Sequence, residues 1–229
     1  IVLSLIFFAC SEKKSSIIEE DIPIGLKEMK EKGLSFEDMG KLHNEYLGVF
    51  MKNQPKYKYE NFNTLIEDID SELTKSNSAI FKKRSSYKNF EVIDLKRKGN
   101  SNFNDIVSDV YKNNTTEKVR DFLKIVLNNN VDYENNKIVI DNYIKNHNLT
   151  EIEIETIELF TTVAKYSNDY WVEYDKYETK ISGQKTSCDP QHQRYFGDAM
   201  GFLFGGGLGG IGMSWVIYEF QQQGGGGCI

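Results

Sequence analysis

The chain has 229 residues, of which 39% are hydrophobic and 27% charged, enough for one sizeable domain with short appendages. Its net charge is −6, and no segment concentrates the basic face that a nucleic-acid partner would require. Three prolines among many Asn, Lys and Ile residues favour a mainly α fold. We predict an irregular helical bundle with a long helix near 150–180 and a C-terminal glycine-zipper hydrophobic segment.

The first ten residues, IVLSLIFFAC, form an apolar run that ends in Ala9 and Cys10, and the polar stretch SEKKSS follows. An apolar run, a small residue and then Cys resembles the lipobox of bacterial lipoproteins, whose signal is cleaved before the lipidated Cys. We therefore expect residues 1–17 to be a truncated lipoprotein-type signal and tether, with lipidation at Cys10. The alternative is an ordinary secretory signal with an incidental cysteine. A spanning helix is disfavoured because the run is about half of the ~20 residues that a span needs.

Residues 18–182 are interpreted as one helical domain. A short helix ends the tether, and Ser35 with Asp38 forms a capping box before a helix that ends near Asn53. Apolar periodicity predicts further helices at 62–75, 79–95, 103–110 and after the Thr115–Thr116 cap. The stretch 137–147, KIVIDNYIKNH, fits a strand by its β-branched run and a helix by its period, and we favour the helix.

Thr150 begins the best-specified helix of the chain. Thr150 and Glu153 form a capping box, and the apolar pattern continues for nearly thirty residues, so this helix is expected to be a central or backing element. Its second half carries an aromatic stripe, namely Tyr166, Tyr170, Trp171, Tyr174 and Tyr177. The stripe could bind carbohydrate by stacking, with Trp171 as the ligand contact, but helix packing is the favoured interpretation.

Other candidate site residues are few. His43 lies beside Glu45 on the first capped helix and could place a polar group in a cleft, although a structural histidine is favoured. The three histidines are far apart and match no zinc motif, so we predict no metal, no cofactor and no catalytic residue. In an oxidising compartment Cys188 and Cys228 could form a disulfide or remain two thiols, and their spacing does not decide.

The C-terminal region changes composition. Residues 183–196 are interpreted as a polar linker, 197–220 as a glycine-rich hydrophobic segment and 221–229 as a flexible tail. Residues 199–218 carry no charge, and Gly197, Gly201, Gly205 and Gly209 recur at a spacing of four. The eight glycines between 197 and 212 would cost an isolated helix roughly 8 kcal/mol relative to alanine. The segment therefore needs lipid, a partner helix or the helix at 150–180 as a neighbour. The alternative is a flexible, disordered glycine-rich tail, which is disfavoured because such a tail gains nothing by exposing bulky apolar residues.

Residues 207–212 match the GxGxxG pattern of dinucleotide-binding proteins. A Rossmann unit also needs a second strand and an acidic residue about twenty positions further on. Only seventeen residues follow Gly212, so the nucleotide-binding interpretation is rejected.

Three phrases carry a family resemblance: LHNEYL at 42–47, VAKYSNDYW at 163–171 and GDAMGFLFGGGLGG at 197–210. Together they are similar to uncharacterised secreted or lipid-anchored proteins of Bacteroidota. The resemblance implies a helical domain, an export signal and a glycine-rich C-terminal segment. It implies no catalytic residue and no substrate.

These patterns predict a lipid-anchored interaction module of the bacterial cell envelope, at the outer rather than the inner membrane. Its expected partners are membrane lipid and a partner helix or second copy bound through the glycine-rich segment. The alternative is a secreted bacteriocin-like or membrane-inserting toxin. An enzyme ranks third, because no nucleophile, base or metal cluster stands out.

Overall fold

The computed structural model describes residues 22–53, 62–75, 115–128, 133–182 and 191–222. These ranges contain seven helices and no strand, which confirms the predicted mainly α fold class. In chain order the helices are α1 (Ile24–Lys32), α2 (Phe36–Asn53), α3 (Phe62–Lys75), α4 (Glu117–Asn128), α5 (Tyr133–Asn146), α6 (Glu151–Ser182) and α7 (Gln191–Gln222). The helices predicted at 79–95 and 103–110 lie outside the described residues, as do Cys10, Cys188 and Cys228.

The two predicted capping boxes begin α2 and α6. The backbone N–H of Ser35 donates to the Asp38 carboxylate at 3.0 Å, and the N–H of Asp38 donates back to the Ser35 hydroxyl at 3.1 Å. At α6 the N–H of Thr150 donates to Glu153 at 2.8 Å, and the N–H of Glu153 donates to the Thr150 hydroxyl at 3.3 Å. Each pair satisfies backbone donors that the first helical turn leaves free.

The Glu153 carboxylate also reaches the start of α4. Its second oxygen accepts the hydroxyl hydrogen of Thr116 at 2.7 Å, one residue before α4 begins. The ammonium of Lys118 lies 3.9 Å from the same carboxylate. One acidic side chain therefore joins the N-terminal ends of two helices that are distant in sequence.

The ambiguous stretch at 137–147 lies within α5 and its end, as its helical period favoured. Ile140 and Tyr143 are buried, whereas Ile138 is 62% exposed. Its β-branched residues thus lie on different sides of a helix. The Tyr143 hydroxyl donates to the carbonyl of Lys118 at 2.7 Å, which ties α5 to α4.

The aromatic stripe of α6 packs against α2. A Cβ added to Gly40 would overlap the ring of Tyr166, and one added to Gly48 would lie 3.8 Å from the ring of Tyr170. The Tyr166 hydroxyl also donates to Glu37 at 3.2 Å. Small residues on α2 thus make room for large rings on α6, and this half of the stripe serves packing.

Helix α7 is not straight, because it folds back on itself at Gly206. That residue has φ 66° and ψ −164°, a backbone conformation open essentially to glycine alone. The hydroxyl of Ser214 donates to the carboxylate of Asp198, sixteen residues earlier in the chain. In a continuous helix those residues would be about 24 Å apart along the axis. Residues 191–205 and 207–222 are therefore two arms, which we call the hairpin.

The hairpin lies at the centre of the core. Every residue from 194 to 217 is buried, and α1, α2, α3 and α6 pack around the two arms. The rings of Phe50 and Trp215 meet at 5.3 Å between α2 and the second arm. The rings of Phe160 and Phe196 meet at the same distance between α6 and the first arm. The hairpin's neighbours in the structure are helices of its own chain.

The first arm begins earlier than the sequence indicated. Residues 183–196 were interpreted as a linker, but α7 begins at Gln191. Arg194 donates to Asp175 at 2.7 Å, and the Tyr195 hydroxyl accepts from Asn136 at 2.6 Å. These polar side chains become buried because partners on α5 and α6 meet them, which composition alone did not show.

Candidate functional site

The bend of the hairpin is closed by a side chain from α1. The carboxylate of Glu28 accepts the backbone N–H of Gly207 at 3.1 Å, at the start of the second arm. Its other oxygen pairs with the ammonium of Lys32 at 2.5 Å. Glu28 is 3% exposed, so this charge is held inside the protein by a cation and a helix N-terminus together.

Glycines allow backbones to touch around the bend. A Cβ added to Gly25 of α1 would overlap the carbonyl oxygen of Phe202, and one added to Gly201 would overlap the carbonyl oxygen of Gly209. A Cβ at Gly206 would overlap the Glu28 carboxylate. Of the four zipper glycines, Gly201 and Gly209 meet each other across the two arms. Gly197 and Gly205 are buried in the first arm.

A polar cluster lies between the arms and the surrounding helices. Its members are Asp198, His43, Ser167, Trp171 and Ser214, which we call the Asp198 cluster, and each is 0% exposed. Asp198 accepts hydrogen bonds from both serine hydroxyls, and from the Trp171 indole N–H at 2.9 Å. His43 Nε2 lies 3.6 Å from the Asp198 carboxylate. The cluster thus connects α2, α6 and both arms of the hairpin.

Burial dominates the electrostatics of Asp198. Loss of water raises the pKa of its carboxyl above the ordinary value, while His43, the two hydroxyls and the indole act to lower it. An ionised carboxylate in this position is costly unless its donors stay in place. The cluster therefore depends on correct packing of all the helices that contribute to it.

The two residues predicted as ligand contacts, His43 and Trp171, are both in this cluster. His43 Nδ1 lies 3.0 Å from the Asn44 amide oxygen, and its ring meets Phe202 edge-on with centroids 6.0 Å apart. Trp171 is covered by the Arg194 guanidinium, 4.8 Å from the ring centroid. Neither side chain reaches the surface in this structure.

The cluster contains Ser, His and Asp, but their geometry does not activate a nucleophile. Both serine hydroxyls donate to Asp198, and His43 Nε2 has no hydrogen-bond partner among the described residues. A catalytic triad needs its serine bonded to the histidine and open to substrate. Within the described ranges, His, Cys, Asp and Glu side chains also form no group of three that could hold a metal.

Sequence reasoning missed Asp198, Ser167, Ser214 and Glu28. Asp198 stands immediately before the charge-free run, inside the segment 197–220 that was interpreted as glycine-rich and hydrophobic. A lone carboxylate beside twenty uncharged residues is a usable signal, since it must be either at a boundary or paired inside. Glu28 gave no comparable signal, because its spacing to Lys32 is that of an ordinary exposed helix pair.

The segment His192–Ile217 is long and apolar enough to cross a membrane, and its residues from 194 to 217 are all buried within the structure. The core helix of a water-soluble protein meets the same two criteria. Comparison of the chain with protein-family models, curated proteins and solved structures finds no match.

Proposed function

We propose that this protein is a lipid-anchored interaction module of the bacterial cell envelope, attached through Cys10, with its glycine zipper packed inside its own domain. The run IVLSLIFFAC followed by SEKKSS supports the anchor. The interaction role is proposed because the anchor would leave the helical domain facing solvent. The outer membrane is the favoured location.

One observation carries this proposal, namely the burial of every residue from 194 to 217 by the protein's own helices. An apolar segment that is already buried leaves no apolar surface for lipid, so membrane attachment needs a separate group. A single acyl chain binds membranes weakly, whereas several chains hold a protein firmly. Cys10 is the residue whose sequence context fits such lipidation. The toxin alternative would require the hairpin to leave this core.

The test exchanges the export signal. In one version of the full-length protein, residues 1–10 are replaced by a secretory signal that is cleaved without lipidation. We expect the wild-type protein to incorporate labelled palmitate and to sediment with membranes. The exchanged version is expected to incorporate no label and to remain in the soluble fraction after export.

Circular dichroism of the exchanged version provides the control, because it must show that the helical domain is intact. Attachment of a correctly folded, unlabelled protein to the same extent as the wild-type protein would contradict the proposal, since lipidation would then contribute nothing to membrane binding. Absence of label from the wild-type protein would contradict the assignment of Cys10.

A further inference from the structure

We propose that α7 has a second, straight conformation in which it spans a lipid bilayer, with Gly206 as the hinge between the two states. The buried hairpin is then the resting state, and the opened helix is a membrane-inserted state of the same residues. This inference does not rest on lipidation of Cys10.

The length and charge of the segment fit a straight span. Residues 199–218 carry no charge and would extend about 30 Å as one helix, the thickness of a bilayer core. Asp198 and Glu219 flank this stretch, so straightening would place both carboxylates at the two membrane surfaces. Each arm of the hairpin extends only about 23 Å, so the folded form is too short to cross.

The spacing of the glycines also continues through the bend. Gly201, Gly205 and Gly209 keep a spacing of four residues, although the chain reverses between the last two. Because the chain reverses between them, residues with that spacing do not lie on one face of a single helix. In a straight helix the same residues form one continuous groove, into which another membrane helix can pack closely.

Straightening also satisfies the backbone. The bend interrupts the helical hydrogen bonds, and Glu28 supplies the acceptor for the Gly207 N–H. In a continuous helix that N–H would donate to the carbonyl of Leu203, four residues back. Lipid demands that every backbone group be satisfied within the segment, and the straight form meets that demand without α1.

The residues after the segment distinguish a straight span from a hairpin inserted in lipid. Glu219 is the only charged side chain in 219–229, and the remainder is mainly Gln and Gly. Crossing would move this tail to the far side, whereas a hairpin that entered lipid would keep both ends on the near side. This difference separates the two forms in an experiment.

The test uses the purified full-length chain with Cys10→Ser, so that no lipid is attached, and phosphatidylcholine vesicles. Gly206→Ala disfavours the bend, because alanine avoids this φ and its Cβ would overlap Glu28, and it favours a helix. Flotation should show vesicle binding raised by roughly tenfold or more. External protease should leave a protected fragment that includes Ile229.

Gly33→Ala is the matched control. Gly33 also has a positive φ, of 61°, but an added Cβ meets nothing within 4 Å, so the substitution strains the backbone without affecting the hinge. It should not raise vesicle binding. A folded Gly206→Ala protein that binds no more than Gly33→Ala would overturn the proposal, as would a protected fragment that lacks the residues after Glu219.

A second variant covers the case in which Gly206→Ala does not fold in water. Glu28→Gln weakens the closure of the bend and leaves Gly206 unchanged, so it should raise binding in the same direction by a smaller factor. If Glu28→Gln folds and its binding equals that of the parent protein, the hinge proposal is wrong. Neither outcome bears on palmitate labelling at Cys10.

Discussion

Helices α6 and α7 are each 32 residues long, yet one is a continuous helix and the other a hairpin. Glu158, Lys165 and Asp169 leave one side of α6 in water, whereas every residue of α7 from 194 to 217 is buried. A helix with apolar residues on one side is oriented by that pattern, because the apolar side faces the core. A segment that is apolar on all sides must obtain its orientation from tertiary contacts.

Those contacts are different in kind. The start of α6 is set locally by a capping box, and its one-sided apolar pattern then directs its rings over Gly40 and Gly48 of α2. The hairpin is set by the Asp198 cluster, by Glu28 and by backbone contacts at glycines. Helix α6 can therefore form from its own sequence, whereas the hairpin exists only when the other helices are present.

The largest expected effect comes from removing the hairpin. A chain that ends at Ser182 lacks the segment on which α1, α2, α3 and α6 pack, so their apolar faces would lose their common core. We expect no cooperative unfolding transition in urea, although part of the helical circular dichroism should remain. A sharp transition near that of the full chain would show that α6 and its neighbours form a core without the hairpin.

The next largest effect is expected at Asp198. Asp198→Ala removes the acceptor for three buried donors, on Ser167, Trp171 and Ser214, and should lower the free energy of unfolding by roughly 3–5 kcal/mol. Asp198→Asn keeps the size and one acceptor oxygen, so its cost should be markedly smaller. Urea unfolding at neutral pH measures both. Equal losses would mean that hydrogen bonding does not orient the hairpin.

A smaller effect is expected from adding one methyl group between the arms of the hairpin, or between α2 and α6. Gly201→Ala forces a Cβ against the carbonyl oxygen of Gly209 and should cost roughly 2 kcal/mol through overpacking. Gly48→Ala adds the same group beside Tyr170 at ordinary contact distance, 3.8 Å, and should stabilise by up to about 1 kcal/mol. In both thermal and urea unfolding, the midpoint should fall for Gly201→Ala and rise for Gly48→Ala. A stabilising Gly201→Ala would contradict the close contact of the two arms.

The smallest effect is a pair of opposite pH dependences. Burial raises the pKa of Asp198, so the folded state holds that proton more tightly, and this stability is lost as pH rises through the folded-state pKa. Burial alone would also raise the pKa of Glu153, but hydrogen bonds from Thr150 and Thr116 outweigh it and keep that pKa below its ordinary value. The contribution of Glu153 is therefore lost as pH falls through that lowered pKa.

Unfolding free energies across the pH range test both signs. Asp198→Asn should remove the decline in unfolding free energy at higher pH that comes from the Asp198 carboxyl in α7. Glu153→Gln should remove the decline at acid pH that belongs to α6, and should cost about 1 kcal/mol at neutral pH through the weaker cap. Unchanged slopes in both variants would show that neither carboxylate differs in proton binding between the folded and unfolded states.

The sequence was sufficient for the local features of the fold. The capping boxes at Ser35 and Thr150, the helix at 62–75 and the helical character of α5 follow from short-range hydrogen bonding and period. Each depends on residues within a few positions of one another. The need of the glycine-rich segment for a neighbour also followed, because the helical cost of its glycines is local.

The position of the bend and the Asp198 cluster could not be predicted in the same way. Eight glycines lie between 197 and 212, and nothing in their spacing distinguishes Gly206 as the one with positive φ. His43, Ser167 and Ser214 are far apart in sequence and meet only after the arms have paired. The start of α7 at Gln191 likewise depends on Asn136 and Asp175, which belong to other helices.

The central position of α7 has a consequence for biosynthesis. Among the described helices it is the last to be translated, so α1 to α6 are synthesised before the segment that completes their core exists. During that interval their apolar faces stay open to chaperones and to other chains. The native fold can therefore form only after α7 has been synthesised.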